Sequence, residues 1–268
     1  VIHTRVGLHV LGDNLYFGDR ALGDLLGGET LTGLMCMAVT GRRPSVEERE
    51  VLDAVAVVMS SADPRIWPLK MTRLVASFGG TLAGYGAAQL AMEGHRIGPW
   101  PTGDAARELL ELRDAVGDRM GDPLAVASEV RAFLERKPRI VGLGVPLRDY
   151  DERHVALTSW IGSKKRDLLP HWRLQQSLGE IARAQRRLGT NIVLGVAAAL
   201  LDLGYTPVQA SAITTFLNQN VFAANAFEAA QQRDPQMQRL ADECVVYVGA
   251  EPRVSPRAAQ ARLRLNTP

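Results

Sequence analysis

The chain has 268 residues, 46% of them hydrophobic and 22% charged, with 31 Lys+Arg against 29 Asp+Glu and a net charge of +2. That length supports a real core in one large or two small domains, and the composition excludes both a disulfide-stapled miniprotein and a largely disordered chain. So small a net charge excludes a sequence-independent attraction for nucleic acid, although it permits a local basic patch.

Residues 1–40 lack the basic start, apolar core and small-residue cleavage site of an export signal. Cys36 and Cys244, the two cysteines, show no CxxC or Cys/His ligand spacing. That fits a reducing, cytoplasmic setting and argues against a metal site. Cys36 lies between Met35 and Met37 in an apolar run and reads as core. Ser45 followed by Glu48 is a capping box. Leu52, Val55, Val58 and Met59 then recur on one face, predicting a helix over 46–60. Residues 74–92 and 203–227 contain no charged side chain and are long enough to span a bilayer. Ser77, Gln89, Gln209, Asn218 and Asn225 within them favour helices buried in a larger helical protein over membrane spans.

Further along, Leu109, Leu112 and Val116 predict a helix from about 103 to 117, and Val126, Val130, Phe133 and Leu134 another over 123–136. Residues 140–146, with Gly142, Gly144 and Pro146, read as a loop or short extended piece. No succession of alternating strands is present, so the predicted class is all-α. Thr206-Pro207 is an N-cap followed by proline at the first helical position, opening a helix expected to run to about 231. Pro/Gly clusters at 94–103 and 189–204 suggest two parts, residues 1–98 with 204–268 and residues 99–203, with a ligand cleft between them.

Several segments, in order, resemble the citrate synthase superfamily, and within it the short citryl-CoA lyases and the citryl-CoA-cleaving module of ATP citrate lyase. Thr40-Gly41-Arg42-Arg43-Pro44-Ser45 is similar to "TGxxPSxxE". Thr72-Arg73-Leu74-Val75-Ala76-Ser77 is similar to "ARLxAS", and Pro138-Arg139-Ile140-Val141-Gly142-Leu143-Gly144 to "xRIxGFG". Asp151-Glu152-Arg153 resembles "DPR", Thr190-Asn191-Ile192 the start of "PNVDF", and Tyr247-Val248-Gly249 "YxG". The resemblance implies a large helical domain with a smaller inserted one, a homodimer formed through large-domain helices, and a coenzyme A thioester as substrate with no metal. The chain's length likewise groups it with the short lyase-type members.

In that family a carboxylate and two histidines move protons while a carbon-carbon bond is made or broken next to a thioester. The family's "GxxHGGA" histidine falls on Ile97, its "GFGH" histidine on Val145 and its "PNVDF" carboxylate on Val193. None of these aliphatic side chains can hold a proton. The histidine of "DHG" is also missing at Ala62-Asp63-Pro64-Arg65. Arg153 is retained as an anion-binding position, while the carboxylate-binding arginine of the last long helix falls near Asn218. With Ile97, Val145 and Val193, these changes imply a larger, less acidic substrate than citryl-CoA.

Replacement acids or bases are sought nearby. His95 sits two residues from the first lost histidine, and Asp149, Tyr150 and His154 follow the second. Each also has a plain structural reading, as an exposed turn residue or as a cap or partner of Arg148 and Arg153. Gly142 and Gly144 with Lys137 and Arg139 resemble the segment that wraps the adenine end of coenzyme A, where glycine lets the main chain approach a flat base. The alternative is an ordinary tight turn. The basic run Lys164-Lys165-Arg166, continued by Arg173, Arg183, Arg186 and Arg187, can hold phosphates or form a solvated face. Trp160 and Trp172 interleave with it, yet no RNA- or DNA-binding signature accompanies them, so no nucleic-acid partner is expected. The functional expectation is a divergent acyl-CoA carbon-carbon lyase or acyl-condensing enzyme without the usual triad, or else an inactive paralogue that binds a ligand or partners an active subunit.

Overall fold

The computed structural model describes residues 1–4, 6–10, 12–16, 20–60, 63–92, 100–145, 148–232, 241–250 and 255–257. The chain divides into two units, Val1–Pro235 and Gln236–Pro268. Among its described residues the first is helical except at its start. The second contributes a 3-10 turn at Asp242–Cys244.

The first unit opens with a small antiparallel sheet, which the sequence reading did not foresee. Strands β1 (Gly7–Val10), β2 (Asp13–Tyr16) and β3 (Arg20–Ala21) pair in the order β1-β2-β3, with Leu8 opposite Leu15 and His9 opposite Asn14. Runs of four residues or fewer are too short to show a period of two. A single turn, α1 (Leu22–Leu25), follows.

Helix α2 (Leu31–Thr40) starts where the Thr30 side chain accepts the Gly33 N–H at 3.1 Å. Helix α3 (Val46–Ser60) begins at the predicted capping box, with Glu48 N–H donating to Ser45 Oγ at 3.1 Å and Ser45 N–H to Glu48 Oε2 at 2.7 Å. The uncharged stretch 74–92 is not one helix: α4 (Trp67–Gly79) and α5 (Thr81–Ala91) meet at Gly80. The stretch 203–227 is also broken, into α11 (Pro207–Leu217) and α12 (Gln219–Ala230), at Asn218. Neither break is marked by a proline or a charge, so hydropathy alone passes over both. Helices α4, α5 and α12 pack together through Ala76, Ala226 and Ala229 on one side and Leu69, Ala88 and Phe222 on the other.

Helix α6 (Trp100–Val116) begins earlier than its leucine pattern suggests, with Pro101 in its first turn, and α7 (Pro123–Arg136) matches the predicted span, capped by Asp122. Helices α8 (Glu152–Ser163) and α9 (Pro170–Arg186) follow. The first turn of α9 is capped from a distance, because the Asp202 carboxylate accepts the His171 and Trp172 N–H groups, each at 2.9 Å. The Gly-containing segment 189–204 contains α10 (Ile192–Asp202), whose residues 194–201 are all buried. A helix apolar all round lies inside a protein, and its lack of one-sided periodicity is why the pattern hides it. Helix α10 packs on α6, α8, α9 and α11, so the core surrounds it. The predicted cap of α11 is present as a full capping box between Thr206 and Gln209. Cys36 is 1% exposed and belongs to this core.

Among the described residues, no single helix is long and apolar enough to cross a membrane, and the one pair that passes together bends by 119°.

Candidate functional site

The residues singled out by the motifs at 138–145 and 190–193 come together at the N-terminus of α10. Leu143 and Thr190 form an isolated antiparallel bridge, with Gly144 N–H donating to Gly189 O at 2.7 Å and Asn191 N–H to Gly142 O at 2.9 Å. The Asn191 side chain caps α10 through Val193 N–H at 3.0 Å and donates to Gly144 O at 3.0 Å. From the other side Glu108 on α6 accepts the Val141 N–H at 2.9 Å. Burial raises the pKa of Glu108, against the pull of that hydrogen bond and of Lys137. Gly142 has φ +89°, and a Cβ there would sit 2.5 Å from Leu194 Cβ, so a larger residue would push the loop off α10.

Two adjoining cavities open beside this junction. The first, about 660 Å³, is lined by Leu143–Val145, Asp149, Leu188 and Gly189 together with Arg148, Arg183 and Arg187. Arg148 pairs with Glu152 and lies 3.9 Å from Asp63. Arg183 and Arg187, at the C-terminal end of α9, have no ion pair among the described residues. With Arg148 paired to Glu152, the two unpaired guanidinium groups of Arg183 and Arg187 against the one lining carboxylate, Asp149, give this cavity a positive lining of the kind that suits an anion such as a phosphate.

The second cavity, about 260 Å³, shares Asp149, Arg183 and Gly189 with the first and adds His154, Thr158, Gln175, Glu180 and Thr190. The His154 ring stacks parallel to Trp172, with centroids 6.4 Å apart, and its Nε2 lies 3.2 Å from Gln175 Oε1. Burial lowers the pKa of His154, opposed by the hydrogen bond to Gln175, and the imidazole is neutral at pH 7. The folded state therefore binds this proton less readily than the unfolded chain. The stability that His154 contributes is complete above about pH 6.5 and is lost as the pH falls below it. Denaturant titrations between about pH 7.5 and 5.5 are expected to show this loss, and His154→Gln to flatten the profile; an unchanged slope in the variant would refute the assignment.

Asp151 ties the start of α8 to the start of α10. Its side chain caps α8, accepts Arg153 Nε at 2.9 Å and Nη2 at 2.8 Å, and accepts the Ile192 N–H at 3.0 Å. Burial alone would raise its pKa, but the Arg153 guanidinium and the Ile192 N–H outweigh it and the value ends below the usual carboxylate range.

The structure brings together Gly144, Val145 and Asp149 in the first cavity and Asp149 and His154 in the second. Val193 packs against the core at the start of α10. Arg153 is committed to Asp151 and lines neither cavity. Lys137 lies apart, with Nζ 2.6 Å from Glu111 and 4.8 Å above the Phe133 ring, and Arg139 is exposed outside both cavities. Asn218 is buried at the break between α11 and α12, its Oδ1 unpartnered among the described residues. His95 and Ile97 lie outside the described residues. Sequence reasoning missed Thr158, Gln175 and Glu180, whose residue types carry no motif, and read Thr190 only as part of a motif segment. Among the described residues, no group of three or more His, Cys, Asp or Glu is placed to hold a metal ion.

No known family model matches the sequence, and neither does any curated protein. Solved structures do match in shape. A citryl-CoA lyase from Hydrogenobacter thermophilus superimposes with a TM-score of 0.78 at 23% identity, covering 97% of this chain and 99% of that one. This chain has a citrate synthase-like fold. An ATP citrate lyase from Methanothrix soehngenii, solved with citrate and coenzyme A, matches with a TM-score of 0.72 at 16% identity, over 93% of this chain but 42% of that one. A citrate synthase from Thermotoga maritima matches with a TM-score of 0.58 at 17% identity, over 80% of this chain and 56% of that one. The all-α architecture expected from the motifs is therefore the architecture found.

Proposed function

We propose that this protein is a divergent relative of the citryl-CoA lyases and citrate synthases that acts on an acyl-CoA thioester, cleaving or forming a carbon-carbon bond without the usual His/His/Asp set. The observation that carries this reading is the first cavity, where Arg148, Arg183 and Arg187 line the same space as the glycine-bearing segment 143–145. Phosphates of coenzyme A suit the arginines, and the main chain at Gly144 suits its flat base. In the cleavage direction a base takes the proton of a β-hydroxyl, the carbon-carbon bond breaks with its electron pair passing to the thioester enolate, and the enolate carbon is reprotonated. Asp149, which lines both cavities, is the carboxylate placed for that base, with His154 as the neutral group beside it.

A second reading, a catalytically inactive paralogue that binds a ligand or partners an active subunit, is favoured by Val145 and Val193, which stand on the motif segments and cannot move a proton. The same family resemblance supports a cytoplasmic homodimer pairing through helices of the larger part. The exposure of Phe78 at 61%, Leu82 at 83% and Leu90 at 82% on α4 and α5 is consistent with such an interface.

Thermal unfolding with a panel of CoA thioesters tests the shared part of both readings. At about 100 times the dissociation constant a bound thioester adds roughly 2.7 kcal/mol, a rise of several degrees in Tm. No stabilisation by coenzyme A or any thioester at millimolar concentration would refute both the enzyme reading and a CoA-binding paralogue. Stabilisation with turnover separates the first reading from the second.

A further inference from the structure

One face of α9 runs along both cavities. Gln176, Glu180, Arg183 and Arg187 follow one another at spacings of four, three and four residues, which keeps them on a single stripe of the helix. Gln176 and Glu180 line the second cavity, Arg183 lines both, and Arg187 lines the first. The stripe is roughly 16 Å long at the α-helical rise, and over that length its charge passes from neutral to negative to doubly positive.

The facing wall does not restore the balance in the second cavity. There α8 and its cap present Asp151, His154, Val155 and Thr158. Asp151 is neutralised by Arg153, and burial keeps His154 uncharged at pH 7. Asp149 and Glu180 are exposed on the cavity lining and have no ion pair among the described residues. The cation they meet is Arg183, which the first cavity shares. The second cavity therefore has an excess of negative charge, whereas in the first Arg183 and Arg187 stand against Asp149 alone. A ligand that occupies both is sorted by sign, with its anionic end beside Arg187 and an uncharged or cationic end beside Glu180. Of the two carboxylates Glu180 is the more telling, because it lines the second cavity alone.

We infer that Glu180 is a specificity-determining residue, which with Asp149 rejects a carboxylate on the acyl group and admits an uncharged or ammonium-bearing one. This rests on the reading above that the coenzyme A phosphates lie in the first cavity, so that the acyl group extends into the second. It sets the substrate apart from polycarboxylates such as citrate.

The test is calorimetric titration of the full chain with coenzyme A, propionyl-CoA, malonyl-CoA and β-alanyl-CoA, whose three-carbon acyl groups are neutral, negative and positive in turn. One net negative charge about 6 Å away across a partly solvated groove changes affinity by about tenfold. Malonyl-CoA is therefore expected to bind about tenfold more weakly than propionyl-CoA, and β-alanyl-CoA at least as tightly as propionyl-CoA. Glu180→Gln should reduce the tenfold ratio to about threefold or less, and Glu180→Lys should bring malonyl-CoA level with propionyl-CoA or ahead of it. Each comparison is a ratio within one variant, so any change in affinity for the common coenzyme A portion cancels. Malonyl-CoA binding as tightly as propionyl-CoA to the unmodified protein, β-alanyl-CoA binding more weakly than propionyl-CoA, or a ratio unchanged in both Glu180 variants would overturn the inference. The ranking in the unmodified protein decides the matter even if a variant does not fold. Failure of coenzyme A itself to bind would overturn the underlying reading along with it, whereas coenzyme A binding without discrimination by acyl charge overturns the inference alone.

Discussion

Replacing Arg183 and Arg187 together with alanine is expected to weaken binding of coenzyme A about 100-fold or more. Both guanidinium groups line the larger cavity at the end of α9, and neither is neutralised by a carboxylate among the described residues. A charge-assisted hydrogen bond to a phosphate contributes roughly 1.5–3 kcal/mol, so losing two removes about 3 kcal/mol at the least, and each 1.4 kcal/mol is tenfold. The arginines are exposed, so the Tm of the free protein should hold within the range usual for surface substitutions. The effect must also depend on salt. Affinity of the unmodified protein should fall as ionic strength shortens the screening length below about 8 Å, and affinity of the double variant should fall less steeply. Arg173→Ala, on the same helix but outside both cavities, is the control expected to leave binding unchanged. Equal affinity in the double variant and the unmodified protein would move the phosphates elsewhere and remove the main support for the first cavity as a CoA site.

What could be read from the sequence divides along a physical line, between signals that act within one turn and those that need a neighbour. Ser45 with Glu48 and Thr206 with Pro207 are local caps, and the helices they open start where the pattern puts them. The breaks at Gly80 and Asn218 leave no mark in hydropathy, since both sides remain uncharged. Helix α10 was hidden for the opposite reason, as every face is apolar and flanking glycines resemble a linker. The small sheet near the N-terminus is made of strands too short for any period.

The site divides in the same way. Gly142, Gly144 and Val145 could be found because a run of consecutive residues carries the loop, and Asp149 and His154 because they follow it. Arg183 and Arg187 were visible as charge, although not as the wall of a cavity. Gln175 became informative only when α9 folded against α8 and set its amide on His154, 21 residues earlier, with Trp172 behind the ring. An isolated glutamine on an amphipathic helix looks like surface until the partner that buries it is known.

Asp151→Ala is expected to be the most destabilising single substitution at the site, by about 3 kcal/mol, the combined cost of an unpaired buried N–H, a lost helix cap and a lost half-buried ion pair. The carboxylate is 4% exposed, and its loss unpairs the Arg153 guanidinium, strands the Ile192 N–H and removes the cap of α8. For a unit of this size that is a fall of about 10 °C in Tm. Asp151→Asn retains an acceptor oxygen but not the charge and should cost about half as much. The pH dependence follows from the direction of the shift. The folded pKa lies below the unfolded value of about 3.9, so this stabilisation is complete above about pH 4 and is lost as the pH falls through the folded value. Asp151→Asn should therefore flatten the acid limb of the stability profile, a region separate from that governed by His154 near pH 6.5. Because Asp151 bonds to both α8 and the start of α10, the alanine variant should also lose the stabilisation that coenzyme A provides, even at temperatures where it remains folded. An alanine variant within 1 kcal/mol of the unmodified protein, or one that keeps its full response to coenzyme A, would show that the junction of the two motif segments is held by the backbone bridge at Leu143 and Thr190 instead.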